Sequence, residues 1–138
     1  MTTTASHPTG HPGYSETLLR RPESVAVARR LVRCALTAWG MEELADDGAV
    51  VVSELVTNAV RHARSEVIRL VVSRLDSATV RIGVVDKSKA PPRPRQPGTE
   101  DDSGRGLMLV AALADDWGTD PLPWGKRVWS ELRRKDDQ

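Results

Sequence analysis

The sequence has no phenylalanine, a single cysteine, and no apolar run near the roughly 20 residues that a membrane-spanning helix needs. With only Cys34, an intrachain disulfide is excluded, and a thiol-keeping compartment is expected. Cys34 sits among apolar residues and reads as a small core hydrophobe. An excess of either charge is also missing. Twenty Lys plus Arg face nineteen Asp plus Glu, a formal net charge of +1, which argues against a dedicated polyanion binder. Aromatics are only 4% of the chain, leaving few faces on which nucleic-acid bases could stack. The first residues lack the charged-then-apolar layout of a signal peptide. Residues 1–13 are mostly Thr, Ser, His, Pro and Gly and are expected to form a disordered tail; His7 and His11 have nothing nearby to complete a metal site. The expectation is a cytoplasmic protein that neither enters a membrane nor binds nucleic acid directly.

What is present fits one domain of 138 residues. Glu16 to Arg20 is a short candidate strand, and Pro22 suits the first turn of a helix. From Ser24 to Trp39, Val27, Ala28, Leu31, Val32, Ala35 and Leu36 recur at helical spacing, and Gly40 ends the helix. A second helix is expected from about Glu42 to Ala63. The period then changes: Val67 to Ser73 and Thr79 to Val85 are β-branched and read as a hairpin turning at 75–78. A polar stretch from Lys87 to Ser103 carries Pro91, Pro92, Pro94 and Pro97; loops this long inside compact domains are usually lids or disordered segments. Leu107, Val110, Ala111 and Ala114 mark a short helix, and strands follow near 116–119 and 127–132. Residues 134–138 are a charged tail. These blocks predict an α+β fold, with helices on one face of a mostly antiparallel sheet.

Chemistry concentrates in three places. On the second helix, Glu54, Asn58 and His62 are spaced i, i+4, i+8 and stack along the side away from Val52, Leu55, Val56 and Ala59. A carboxamide oxygen there can ligate Mg²⁺, and a carboxylate one turn earlier can accept a proton from a hydroxyl or water. The same residues also suit a solvated polar face. Asp86 ends an apolar strand, where a carboxylate can accept a hydrogen bond from an adenine amino group or simply terminate the strand. Finally, Ser103-Gly104-Arg105-Gly106 enters a helix. Two glycines and free helical N–H groups permit close approach of phosphates, and Arg105 can reach a terminal one; an ordinary loop-to-helix turn has the same appearance.

Taken in order, these elements resemble the GHKL ATPase superfamily, which includes gyrase, histidine kinases and the anti-sigma-factor serine kinases. Glu54, Asn58 and His62 match its N box, Asp86 its G1 box and Ser103 to Gly106 its G2 box. Trp117-Gly118 and Gly125 to Trp129 resemble the closing strands of the anti-sigma-kinase branch, as does the early helix ending at Trp39-Gly40. The likeness covers about residues 14–133 and is greatest to small stand-alone ATP-binding proteins of actinobacteria. It implies a two-layer α/β sandwich of Bergerat type and a protein serine/threonine kinase using ATP and Mg²⁺. Its implied partner is a sigma factor, an STAS-type anti-anti-sigma factor, or both, in a chain whose relatives commonly dimerise. It implies that Glu54 is the general base and that Asn58 holds Mg²⁺. Asp86 would read adenine, with Ser88 beside it. Gly104, Arg105, Gly106 and Leu107 would bind phosphates, with His62 near the phosphate end. Where the superfamily usually has Asp-x-Gly, this chain reads Asp86-Lys87-Ser88. The alternative reading is a nucleotide-binding regulatory module without kinase activity.

Overall fold

The structure is a computed structural model and describes residues 3–6, 12–87 and 101–135. Its elements run β1 (Thr3–Ser6), β2 (Pro12–Leu19), α1 (Ser24–Ala38), a 3-10 turn (Glu42–Leu44), α2 (Ala45–His62), β3 (Val67–Arg74), β4 (Thr79–Lys87), α3 (Asp101–Leu113), β5 (Asp116–Leu122) and β6 (Gly125–Arg133). All strand pairs are antiparallel, in the order β1-β2-β3-β4-β6-β5. The predicted α+β class and the sandwich of helices on a sheet are what the chain adopts.

Alternation sets the inner face of the sheet. On β4, Val80, Ile82, Val84 and Asp86 are buried, and on β6, Val128, Ser130 and Leu132 are buried. Register pairs them across the ladder: Val80 with Leu132, Ile82 with Ser130, Val84 with Val128, and Asp86 with Lys126. Onto this face pack Ala28, Val32 and Leu36 of α1, Val52, Leu55 and Val56 of α2, and Val110 of α3. Helix α2 is in contact with both α1 and α3. At Gly48, an added Cβ would lie 3.0 Å from Val32 and 3.1 Å from Leu36, so absence of a side chain is what lets the two helices close on each other.

Helix α1 stops where the sequence says it should. Gly40 has φ 71°, its N–H donates to the Thr37 carbonyl at 3.0 Å, and the Met41 N–H donates to the Leu36 carbonyl at 2.8 Å. That is a Schellman motif, with Met41 buried behind it.

Several expectations change. The tail expected at 1–13 instead supplies β1, paired with Pro12–Ser15, because the open edge of β2 offers backbone partners. Arg134, expected in the charged tail, is tied to the domain: its N–H donates to the Ala78 carbonyl at 2.8 Å and its guanidinium to the Gly40 carbonyl at 3.1 Å. Cys34 is exposed rather than in the core. The buried stripe of α1 follows Ser24, Ala28, Val32, Ala35 and Leu36, which leaves Val27 and Cys34 on the outer side. Among the described residues no helix is long and apolar enough to cross a membrane.

Candidate functional site

Helix α2 and strand β4 bring Asn58 and Asp86 to one end of the sheet. Arg20, just past β2, donates from Nε to the Ser65 carbonyl at 2.6 Å and from a terminal nitrogen to the Val60 carbonyl at 3.0 Å. These bonds satisfy a carbonyl that the last turn of α2 would otherwise leave open. They also hold the C-terminal end of α2 against the junction of β2 and β3, where Leu19 pairs with Val67. The next residue of β3, Ile68, is the register partner of Asp86. The N-terminal half of α2 lies over Ile82, whose Cδ1 is 3.7 Å from a Cβ built at Gly48. From there Asn58 is about 15 Å along the helix and Asp86 about 13 Å along the strand. Both therefore reach the same end of the molecule.

Asn58 is buried, and its Oδ1 has no hydrogen-bond partner. This corrects the expectation that it lies on a polar face opposite the apolar one. The buried arc of α2 includes Gly48, Ala49, Val51, Val52, Leu55, Val56 and Ala59, because α1 and α3 both cover this helix. At 100° per residue Asn58 falls within roughly 20° of Val51, at the edge of that arc. An orphaned buried carboxamide oxygen is costly, about 1–3 kcal/mol, and is a sign of a ligand position. Glu54, one turn earlier, is half-buried, and His62, one turn later, is exposed.

Asp86 is the last inward residue of β4 and is 5% exposed. Burial pushes its carboxyl above the ordinary carboxylate range, and the positive charge of Lys126 opposes the rise. Gly125 governs the approach of β6 to this point. A Cβ there would overlap the Asp86 carbonyl oxygen and come within 3.0 Å of Lys87 Cα.

Helix α3 begins at Asp101, so residues 103–106 lie inside its first two turns rather than ahead of it. Leu107 is half-buried against the core. Ser88, the four loop prolines, the side chain of Arg105 and the surroundings of Gly104 and Gly106 lie outside the described residues. Sequence reasoning missed Lys126 and Gly125 as parts of the site. Only the strand order, which places β6 rather than β5 beside β4, brings them to Asp86.

A cavity of about 520 Å³ lies elsewhere, between β2 and α1, lined by Tyr14, Glu16, Val27, Arg30, Leu31, Cys34, Ala35 and Ala38. It contains none of the residues of the Asn58–Asp86 end. Among the described residues no group of three or more His, Cys, Asp or Glu side chains is arranged to hold a metal. A magnesium ion that takes one carboxamide oxygen and completes its shell with phosphate oxygens and waters needs no such group, and Asn58 Oδ1 fits that part.

The family described as the histidine kinase-like ATPase domain matches this chain over residues 18–129, a span that contains Glu54, Asn58, Asp86 and Lys126. No curated protein matches the chain.

Proposed function

The chain belongs to the histidine kinase-like ATPase family, and on that premise we propose that it is an ATP- and Mg²⁺-dependent protein serine/threonine kinase of the anti-sigma-factor type. Its substrate in this reading is a hydroxyl on an STAS-type anti-anti-sigma partner, and its output is control of a sigma factor. The observation that carries the proposal is the buried, unpartnered Asn58 Oδ1 at the end of the sheet that also holds Asp86. Family membership supports ATP binding, and the carboxamide supports a metal position beside it.

When bound, Mg·ATP would supply the phosphoryl group and the neutralising charge of the transfer. The chain's own residues position and move a proton. Asp86 accepts from the adenine amino group and fixes the base. Asn58 would hold the metal through its Oδ1. Glu54, half-buried one helical turn before Asn58, takes the proton from the incoming hydroxyl. Its place one helical turn from Asn58 supports that role.

A second reading is a nucleotide-binding regulatory module that acts by partner contact alone; Ser88 in place of the usual glycine favours it. Substituting Glu54→Ala separates the two. The kinase reading expects Mg·ATP affinity close to wild type and phosphate transfer to a bound partner reduced by roughly 10²–10⁴-fold, measured with labelled ATP. Transfer at the wild-type rate by the variant removes Glu54 from the role of base. A wild-type protein that binds its partner and ATP yet transfers nothing supports the module.

A further inference from the structure

The inward residues of the β4–β6 ladder form four consecutive pairs, and the last differs in kind. Val80–Leu132, Ile82–Ser130 and Val84–Val128 are buried pairs, whereas Asp86–Lys126 sets an acidic residue opposite a basic one in the register. Directly opposed residues of antiparallel strands have Cβ atoms about 4.5–5.5 Å apart, and period-two alternation puts Lys126 on the same face as Val128, Ser130 and Leu132. The lysine is half-buried rather than turned out to solvent. Its charge acts on Asp86, opposing the effect of burial on that carboxyl. The neighbouring cation of the same strand pair, Lys87, goes the other way. Its Nζ lies 5.6 Å from the centroid of the Trp124 ring, and its register partner is Gly125. Lys126 is thus the cation that the ladder sends to the inner face at this end.

An adjacent acceptor and donor match one edge of adenine. The exocyclic amino group donates, and ring nitrogen N1 beside it accepts. Asp86 alone satisfies only the first. Building on the nucleotide site proposed above, we infer that Lys126 is a second base-reading residue, its ammonium donating to adenine N1 while the Asp86 carboxylate accepts from the amino group. The pair then reads two neighbouring atoms of the base rather than one. Lys126 holds a charge-assisted donor where a neutral side chain would give a weaker bond.

The test compares ATP with 1-deaza-ATP, which keeps the amino group and replaces N1 by C–H, by calorimetric titration of the whole chain in Mg²⁺. Wild type is expected to bind ATP about tenfold more tightly than 1-deaza-ATP, the range of a single charged hydrogen bond. Lys126→Met keeps the apolar stem and removes the donor. It is expected to lose about tenfold in ATP affinity, to leave 1-deaza-ATP unchanged and so to erase the preference. Lys126→Arg, which keeps a donor, is expected to retain part of it. Equal wild-type affinity for the two nucleotides overturns the inference, and this arm needs no variant to fold. A Lys126→Met protein that weakens both nucleotides alike also overturns it, since that is the signature of a lysine that only supports Asp86. Wild type that binds neither nucleotide removes the ATP reading and this inference together, whereas ATP binding without N1 preference removes this inference alone.

Discussion

At Asp86 two opposing effects meet in one carboxyl. Burial raises its pKa from the ordinary 3.8, and the Lys126 charge pulls it back, with burial the larger. Because the folded-state value is the higher one, the folded chain binds more protons than the unfolded chain between about 3.8 and that raised value. Stability contributed by this group therefore falls as pH rises through that window, and above it the ionised, buried carboxylate costs stability. Asp86→Asn removes that cost, so the variant is expected to unfold at a higher temperature than wild type near neutral pH and at a similar temperature in acid. Thermal scans across pH check this, and a variant less stable than wild type at neutral pH contradicts it. The same change is expected to weaken ATP by about tenfold, the loss of one hydrogen bond at a buried acceptor, and to narrow the preference for ATP over GTP. A gain in stability together with a loss in binding is what a residue kept for a ligand predicts. At this scale the sequence was partly legible. Asp86 announces itself as a charge closing an apolar strand, but the burial of Asn58 does not, since a helix wheel drawn for one packing partner cannot foresee two. Cys34 misled for a related reason: apolar neighbours in sequence lie on different sides of α1, and only the buried stripe of that helix separates them.

Among the elements, those with a strong period were legible from end to end. The α1 expectation from Ser24 to Trp39 meets a helix of Ser24–Ala38, and the hairpin of β3 and β4 turns at 75–78 as expected. The single expected helix from Glu42 is instead a 3-10 turn followed by α2. Strand β2 begins at Pro12 rather than Glu16, because pairing to Val72 and Ser73 of β3 extends it beyond what its own mixed composition could signal. Strand β6 comes close to Asp86 at its first residue. Gly125 lets the chain approach Asp86 with no Cβ between them, so the start of this strand sets where the carboxylate stands. Gly125→Ala is expected to shift the β4–β6 junction, lowering ATP affinity at least tenfold while the far end of the ladder, from Val80 to Leu132, keeps its slow amide exchange. Nucleotide titration paired with hydrogen exchange reads both effects. Unchanged affinity in the alanine variant would show that Asp86 does not depend on this contact.

For the molecule as a whole, the arrangement is asymmetric. Among the described residues α1, α2 and α3 cover one face of the sheet, and the other carries charged and aromatic side chains that satisfy one another: Arg81 pairs with Glu131 and lies 5.0 Å from the centroid of the Trp129 ring, and Arg127 donates to Asp120 at 2.6 Å. The buried, unpartnered Asn58 Oδ1 and the buried Asp86 lie at one end of the helix–sheet boundary, where α2 finishes and β4 closes. The fold class was legible because blocks of helical and β-branched period alternate along the chain. The strand order was not, since local pattern does not say that the chain returns to place β6 between β4 and β5. That return makes Lys126, one residue of an expected closing strand, the register partner of Asp86. The central claim is that this end of the molecule is a Mg·ATP site centred on Asn58 and Asp86. Calorimetric titration of ATP with and without Mg²⁺, on wild type and on Asn58→Ala, tests it most directly. The account predicts tighter binding by wild type when Mg²⁺ is present, and an alanine variant that stays folded while losing most of that metal-dependent gain. No heat of binding by wild type up to millimolar ATP, with or without Mg²⁺, would contradict it.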